Sequence, residues 1–409
     1  MKPMGAIPPG FAAGASGRLA IGGRDIEALI AEAGDTPLFV YDFALIRERV
    51  LMLRQALPLQ VGLHYAIKAN PMPKLVSAIA PLVDGLDVAS EGEMRVALAS
   101  GTGHISFAGP GKRDRELEAA ISAGVTINLE SEGEARRALS IAGRLGLRPK
   151  LAVRVNPDFD LKGSGMRMGG GAKPFGVDAS EAAALVREIL AAGAEWRGFH
   201  IFAGSQALDA AAIAETQRQT IELAGRLADQ AGATPPLVNL GGGFGIPYFA
   251  GDAPLDIEFI GRKLAEALEN KPVSLAQSDF AIELGRYLVG EAGVYLTRIV
   301  DRKTSHGEVF LVTDGGLHHQ LAASGNFGTV VRRNYPVALA SHFTAEPDEI
   351  VNIVGCLCTP LDRLAEQVRF PHAEPGDVIA VFMAGAYGFT ASPGAFLGHP
   401  AARELLVDQ

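Results

Sequence analysis

Short apolar runs alternate with longer segments of helical periodicity between residues 60 and 285. The eight runs are apolar or β-branched, as expected of parallel strands buried on both faces. The segments between them repeat apolar positions every three to four residues, and several begin beside a Ser, Asp or Pro that can cap a helix. The predicted strands are 62–66, 85–88, 104–107, 126–129, 150–155, 198–202, 237–240 and 280–284.

Eight strand–helix units of this length predict a closed (β/α)8 barrel, an α/β fold, over residues 37–285. A doubly wound open sheet is the alternative. After residue 285 the pattern changes to strands at 294–300, 308–314, 349–355 and 377–383, separated by turn-rich loops, which predicts a mostly β domain over 286–409. The strand at 38–41 is expected to join that domain, and residues 1–36 are expected to be a flexible N-terminus leading into it.

Length, composition and charge narrow the class of protein. A chain of 409 residues is too long for one ordinary core, which agrees with two domains. The formal charge of −9 argues against a general nucleic-acid binder. Apolar runs stay short of the roughly 18 to 20 residues of a membrane helix, and the N-terminus lacks a signal-peptide core. We therefore expect a cytoplasmic protein without a nucleic-acid or membrane partner.

Two cysteines, Cys356 and Cys358, are the only ones in the chain. They cannot form a disulfide framework, and a lone cysteine is most often a small buried apolar residue. With His318 and His319 they contain metal-ligating atoms, but the sequence does not determine the geometry that a metal site needs. No metal is predicted.

Polar residues follow the predicted strands, at the end of a barrel where chemistry is usually found. Each has a structural alternative: a lysine can reach out to solvent, an aspartate can cap the next helix, and a histidine can lie in the core. Glu283 and Arg286 can form a structural ion pair. The residues at the strand ends are Lys68, Asn70, Pro71, Asp87, Ser90, Arg154, Asn156, His200, Ser205, Gly241, Gly242, Gly243, Glu283, Gly285 and Arg286.

Together these residue types suit pyridoxal 5′-phosphate (PLP). A lysine forms an imine with an aldehyde, and a carboxylate facing the pyridine nitrogen keeps it protonated so that the ring accepts electrons. An imidazole can stack on the ring, while a glycine-rich loop, a serine and an arginine can hold the phosphate. The glycine run does not match the nicotinamide fingerprint, because Ile246 occupies the position of its last glycine.

The chain resembles the fold-type III PLP decarboxylases, the group that contains ornithine, arginine and diaminopimelate decarboxylases. The resemblance extends from about residue 36 to 390 and implies an amino-acid α-decarboxylase that is a homodimer with shared active sites. The matching stretches are HYAIKANP, GLDVASEGE, RVNP, KPFGV, HIFAGSQ, NLGGGFGIPY, ELGRYLVGEAG, GCLCTPLDRLA and AGAYGF.

The resemblance also implies a role for each matching residue. Lys68 would hold PLP as an imine, Glu283 would pair with the pyridine nitrogen, and His200 would stack on the ring. Cys358, supplied across the dimer interface, would protonate the carbanion after CO₂ leaves, and Cys356 would be packing. Asp87 and Arg154 would lie beside the ring, and the phosphate would be held by Ser205, Gly241, Gly242, Gly243, Arg286 and Tyr387.

Three departures from the family pattern concern the substrate. Thr359 follows Cys358, where enzymes of basic amino acids carry an acidic residue, and a hydroxyl cannot pair with a distal ammonium as a carboxylate does. The stretches HIFAGSQ and TASPGAFLGHP also differ from the usual forms. These features resemble a subgroup near the exosortase-associated decarboxylases and the decarboxylase of a glutamyl group tethered to an acyl carrier protein.

A tethered substrate has no free distal charge, which suits Thr359. Arg332, Arg333 and Tyr335 are candidates to contact a carboxylate or a phosphopantetheine arm, with solvated surface charge as the alternative. Whether the amino acid is free or carrier-bound stays open. Decarboxylation of a free diaminopimelate- or ornithine-type amino acid, racemisation and a silent PLP-binding partner protein are the alternatives to a carrier-linked decarboxylase.

Overall fold

A computed structural model describes residues 1–163, 165–325 and 332–408. The chain divides into two compact units. We call Arg49–Ile246 with Pro254–Gly285 the barrel unit, and Met1–Glu48 with Pro247–Ala253 and Arg286–Gln409 the β unit. Among the described residues, no helix combines the length and the apolar character needed to cross a membrane.

The strands are β1 (Ala12–Ala13), β2 (Leu19–Ile21), β3 (Arg24–Asp25), β4 (Leu38–Asp42), β5 (Val61–Ala66), β6 (Gly85–Val88), β7 (Ile105–Phe107), β8 (Thr126–Leu129), β9 (Lys150–Asn156), β10 (Met166–Arg167), β11 (Val177–Asp178), β12 (Glu195–Ile201), β13 (Gly204–Ser205), β14 (Leu237–Gly242), β15 (Asp279–Leu284), β16 (Gly293–Ser305), β17 (Glu308–Thr313), β18 (Val337–Leu339), β19 (Glu349–Val354), β20 (Arg363–Phe370), β21 (Val378–Val381) and β22 (Arg403–Val407). The α-helices are α1 (Ile26–Ala33), α2 (Phe43–Ala56), α3 (Pro73–Ile79), α4 (Glu91–Ala99), α5 (Asp114–Ser122), α6 (Glu132–Leu145), α7 (Ala179–Ala191), α8 (Ala210–Ala231), α9 (Ile257–Glu269) and α10 (Arg286–Val289).

The barrel unit is built on a closed parallel sheet. Its strands follow the order β5–β6–β7–β8–β9–β12–β14–β15, and β15 pairs with β5 to complete the ring. The predicted (β/α)8 barrel is confirmed, and the open doubly wound sheet is excluded. Because the strands are parallel, their C-terminal ends lie at one rim of the barrel, where their polar residues can meet.

The sequence SEGE occurs twice, at residues 90–93 and 131–134, and determines where α4 and α6 begin. In each, a serine caps the helix: Ser90 Oγ accepts a hydrogen bond from the Glu93 amide at 3.2 Å, and Ser131 Oγ accepts one from the Glu134 amide at 3.1 Å. The two glutamates reach back to backbone amides before the helices, at 2.8 Å in both cases. These reciprocal caps fix the chain direction just after β6 and β8.

The β unit has a sheet in the order β18–β21–β16–β17–β19–β20. The long strand β16 is its centre and pairs antiparallel with β21, β17 and β4. Strand β4 also pairs in parallel with β22, so both ends of the chain contribute to this sheet. Residues 12–33, expected as part of a flexible lead-in, contain β1, β2, β3 and α1.

Six strands of the β unit lie outside the predicted set: β1, β2 and β3 before residue 36, and β18, β20 and β22 after residue 285. Strand β20 has the sequence RLAEQVRF, in which charged and polar residues interrupt the apolar ones. Such a strand carries only a weak period-two signal, and its pairing with β19 supplies the order that its own sequence does not predict.

Candidate active site

Lys68 lies at the C-terminal rim of the barrel, in a single 3₁₀ turn, Ile67–Ala69, directly after β5. Both of its neighbours in the turn are buried, whereas Lys68 is exposed. Its Nζ is 5.6 Å from the centroid of the Phe202 ring, which follows β12. The fold therefore presents a primary amine beside an aromatic face at the rim.

Glu283 and His200 form a close pair of ionisable side chains at this rim. Glu283 Oε2 lies 2.7 Å from His200 Nε2, and both side chains are buried. Asn239, on the strand between them, donates to the same carboxylate oxygen at 3.4 Å. Nδ1 of His200 is buried and has no hydrogen-bond partner among the described residues.

The electrostatics of this pair keep Glu283 ionised. Burial raises the pKa of the Glu283 carboxyl, but the contact with His200 and the charges of Lys68 and Arg154 outweigh burial and lower the pKa to about 2. A carboxylate at this position can accept a hydrogen bond from a protonated ring nitrogen and stabilise its charge.

Asp87 is buried on β6 and does not cap the helix that follows, since Ser90 has that role. Asp87 Oδ1 accepts a hydrogen bond from Ser106, and Oδ2 lies 3.3 Å from Nδ1 of His64. Burial lowers the pKa of His64, but the charge and contact of Asp87, together with nearby Glu283 and Asp84, outweigh burial and raise the pKa overall. His64 was missed from sequence because it lies inside strand β5, among apolar neighbours, rather than after its end.

Arg154 is held in a buried ion pair. Its Nη1 donates to Glu130 Oε1 at 2.7 Å, and its guanidinium lies 5.2 Å from the Phe175 ring. Burial raises the pKa of Glu130, but Arg154 and Lys112 outweigh burial and lower it. Glu130 was not predicted, although it follows β8 directly, at the same rim as the other strand-end residues.

The backbone conformation at the end of β14 requires the glycine run of residues 241–243. Gly241 and Gly243 have φ values of +69° and +83°, where a side chain is strained, and a Cβ at Gly242 would lie 1.8 Å from the Glu283 carbonyl oxygen. The Gly241 amide donates to Asn239 Oδ1 at 2.9 Å. That amide is therefore engaged within the protein, and the use of the run to hold the phosphate stays a prediction.

Ser205 lies close to the glycine run. It is half-buried in the short strand β13, which pairs with β10. Two residues further on, the Ala207 amide donates to the Gly243 carbonyl at 2.9 Å. The structure thus brings the serine and the glycine run to neighbouring loops, as the sequence predicts.

In the β unit, Arg286 and Tyr387 meet in an aromatic cluster. The guanidinium carbon lies 4.8 Å from the centroid of the Tyr387 ring, and Nη1 donates to the Tyr248 hydroxyl at 2.6 Å. Arg286 Nε is buried without a hydrogen-bond partner among the described residues. Tyr248 was missed as a site residue, although it closes the stretch NLGGGFGIPY.

The three residues proposed to contact a distal part of the substrate have different environments. Tyr335 is 5% exposed, with its ring 4.8 Å from that of Tyr248, so it belongs to the aromatic cluster around Arg286. Arg333 is exposed and stacks on Phe249, with 3.8 Å from its guanidinium carbon to the ring centroid. Arg332 is half-buried.

Cys358 is exposed at a turn of the β unit, and Thr359 lies beside it. The Thr359 amide donates to the Leu357 carbonyl at 2.8 Å, which tightens the turn. A cavity of about 430 Å³ opens next to this turn. Its lining includes Cys356, Thr359, Lys303 and Arg363.

Comparison with known proteins identifies the family of this chain. A family model described as "Pyridoxal-dependent decarboxylase, pyridoxal binding domain" matches residues 43–290. The chain is 36% identical over 380 residues to the L-glutamyl-[BtrI acyl-carrier protein] decarboxylase of Niallia circulans, covering 91% of this chain and 89% of that protein. It is 33% identical over 404 residues to the diaminopimelate decarboxylase of Methanothermobacter thermautotrophicus, covering 96% and 91%.

A solved structure is similar over the same length. The diaminopimelate decarboxylase of Helicobacter pylori, complexed with L-lysine, superimposes with a TM-score of 0.81 at 28% identity, covering 94% of each chain. The agreement includes both the barrel unit and the β unit.

Residues of the barrel unit and of the β unit each fit PLP. Lys68 offers an amine for the aldehyde, and ionised Glu283 offers a counter-charge for the pyridine nitrogen. His200 Nδ1 and Arg286 Nε are buried polar atoms without partners among the described residues, and a bound ligand would satisfy such atoms. The chain belongs to the pyridoxal-dependent decarboxylases, and PLP is its cofactor.

Proposed function

We propose that this decarboxylase removes the α-carboxylate of an aminoacyl group that is linked to a carrier at its far end. The observation that carries the proposal is Thr359 beside the exposed Cys358. The cavity next to this turn is lined by Lys303 and Arg363, and both oxygens of its Asp362 accept hydrogen bonds from backbone amides. These cations would repel a distal ammonium, and the Asp362 carboxylate is already occupied by the two amides. The same cations would attract the anionic phosphodiester of a carrier arm.

The comparison with relatives supports the same substrate class. The Niallia circulans protein, by its name, acts on an L-glutamyl group on an acyl carrier protein. Diaminopimelate decarboxylases of similar identity make a free diamino acid the alternative substrate. The cationic lining favours the carrier-linked substrate over ornithine and lysine, whose far end is a lone ammonium, whereas the far end of diaminopimelate carries a carboxylate as well as an ammonium.

In this proposal Lys68, Glu283 and Cys358 have separate roles. Lys68 would hold PLP through its amine. Ionised Glu283 would accept a hydrogen bond from the ring nitrogen and keep it protonated, and bound PLP would supply an electron sink for the pair left on Cα as the bond to the carboxylate breaks. Cys358 donates the Sγ proton that replaces CO₂ on Cα, and its thiolate recovers a proton from water.

We propose that the enzyme is a homodimer in which the partner subunit's Cys358 serves each barrel. The support is the family resemblance in the stretch GCLCTPLDRLA. Mixing inactive Lys68→Ala and Cys358→Ala subunits tests it. Random exchange makes half of the dimers mixed, each with one intact shared site, so activity should recover to about a quarter of wild type. No recovery from a mixture shown by mass spectrometry to contain mixed dimers would contradict shared sites.

The substrate class is tested by a CO₂-release screen of the PLP-loaded protein. The candidates are free glutamate, diaminopimelate, ornithine, lysine and arginine, plus glutamate tethered to an acyl carrier protein. We expect turnover of the tethered substrate to exceed that of every free amino acid. Fast turnover of a free diamino acid would refute the assignment, and loss of optical activity without CO₂ would indicate a racemase.

The cysteines support a proposal for the cellular location. Both are unpaired in the structure, and an unpaired exposed thiol such as Cys358 is kept reduced in the cytoplasm. We propose that the enzyme works there, and a cell-fractionation blot checks this location.

A further inference from the structure

Three segments of the β unit that are distant in sequence bring His318, Cys356 and His399 together. Their ligating atoms all lie within 4.8 Å of one another. Cys356 Sγ is 3.7 Å from His399 Nδ1, and the ring centroids of His318 and His399 are 5.3 Å apart. Two imidazoles and a thiol at this spacing are the side chains from which zinc sites are built.

His318 is the residue that points to a ligand. Its side chain is fully buried, and neither ring nitrogen has a hydrogen-bond partner among the described residues. Leaving a buried polar atom unpaired destabilises the folded protein, and a bound cation would remove that cost. An imidazole nitrogen that is buried without a partner can offer a lone pair to a cation.

The segments that carry His318 and Cys356 are held by one buried carboxylate. Asp362 Oδ1 accepts a hydrogen bond from the Leu317 amide at 2.6 Å, and Oδ2 accepts one from the Leu357 amide at 2.8 Å. Each of these amides belongs to the residue next to a candidate ligand. Asp362 therefore fixes the separation of the two segments, as the outer contacts of metal sites commonly do.

The third segment is held through His319. Its Nε2 lies 2.9 Å from the carbonyl oxygen of Pro400, the residue after His399, and its Nδ1 lies 3.1 Å from the Tyr295 hydroxyl. Both ring nitrogens of His319 are thus engaged, and it supports the cluster instead of ligating. His399 had no role in the sequence-based prediction, because only the fold brings its segment to His318 and Cys356.

We propose that His318, Cys356 and His399 bind a divalent transition-metal cation of the zinc class, with a fourth position open to water or another small ligand. Bonds of 2.0–2.3 Å place tetrahedral ligand atoms about 3.3–3.8 Å apart, so closure from the observed spacing needs about 1 Å of side-chain movement. Cys356 and His399 are only half-buried and have room for it.

Binding exchanges the thiol proton for the metal, and the proton leaves to solvent. Because protons compete with the metal for the ligand atoms, binding weakens as the pH falls. The cation ties three segments of the β unit together. One of them carries Cys358, two residues beyond Cys356, so the cation restrains the turn that bears it.

The test uses the PLP-loaded full chain, stripped with a chelator and dialysed against Zn²⁺, with bound metal measured by mass spectrometry. We expect one Zn²⁺ per chain. Cys356→Ser and His399→Ala should each weaken binding by at least about tenfold. Cys358→Ser and His372→Ala are matched controls that remove one exposed thiol and one exposed imidazole, and both should bind as wild type does.

Two further measurements, one spectroscopic and one chemical, test whether the metal is bound by Cys356. Co²⁺ should produce d–d bands at the red end of the visible spectrum, where PLP does not absorb, and Cys356→Ser should reduce them. Zn²⁺ should protect Cys356 from alkylation and leave Cys358 reactive. Equal binding by Cys356→Ser and wild type, as expected of an ion held by the cofactor, would overturn the proposal, and so would loss of binding in Cys358→Ser.

Discussion

Glu283→Gln is the substitution whose magnitude follows most directly from the structure. The change removes the charge of a buried carboxylate and keeps its shape. The pKa of Glu283 is lowered from 4.5 to about 2, and each unit corresponds to about 1.4 kcal/mol. This net shift, in which His200, Lys68 and Arg154 outweigh the cost of burial, therefore contributes about 3 kcal/mol to the stability of the folded protein at pH 7.

The sign of the pH dependence is determined by the direction of the shift. A carboxylate with a depressed pKa in the folded state contributes stability above its unfolded pKa, and this contribution disappears as the pH falls towards the folded pKa. About 1 kcal/mol should be lost by pH 4 and about 2 kcal/mol by pH 3. The stability difference between wild type and Glu283→Gln should narrow over the same range.

The assay is urea denaturation of the PLP-free protein at several pH values between 7 and 3.5. Glu346→Gln is the control, since Glu346 is exposed and its substitution should change stability by less than about 0.5 kcal/mol. Equal stability of Glu283→Gln and wild type at pH 7 would refute a stabilising, ionised Glu283. A stability difference that stays constant with pH would refute it as well.

Three further changes have defined outcomes. Thr359→Asp places a carboxylate beside Cys358 and should increase CO₂ release from free ornithine or lysine relative to wild type; unchanged selectivity would count against Thr359 as a specificity residue. Glu130→Ala leaves Arg154 buried without its partner and should lower the free energy of unfolding by about 3–5 kcal/mol in urea, where a loss below 1 kcal/mol would contradict the buried pair. Ser131→Ala removes the cap of α6 and should cost about 1 kcal/mol, measured by the same denaturation, while restoration by Ser131→Thr would confirm capping as the cause.

The barrel could be predicted from sequence because its signals are local. Each strand is a short apolar run, and each helix has its own period and its own cap, so neither requires knowledge of distant residues. The strand-end rule then places Lys68 and Glu283 at one rim. Strand β20 was missed for the converse reason, since polar residues interrupt its pattern and its order comes from pairing with β19.

Partners at the rim could not be predicted in the same way. A periodic pattern shows which face of a strand is buried, but not which residue on the next strand lies opposite. The contact of Glu283 with His200, and that of Arg154 with Glu130, depend on the register between strands and on loop paths. These contacts decide which carboxylates are ionised, and therefore what each can do chemically.

The sequence alone determined the fold class, the lysine available to PLP and the neutral Thr359 beside Cys358, because each is a property of residue type and local order. Only the tertiary structure decided that Tyr248 packs against Arg286 and that His318 meets Cys356 and His399. The physical reason is that such sites are made by loops far apart in the chain, whose meeting is enforced by the packed sheet and by buried groups such as Asp362.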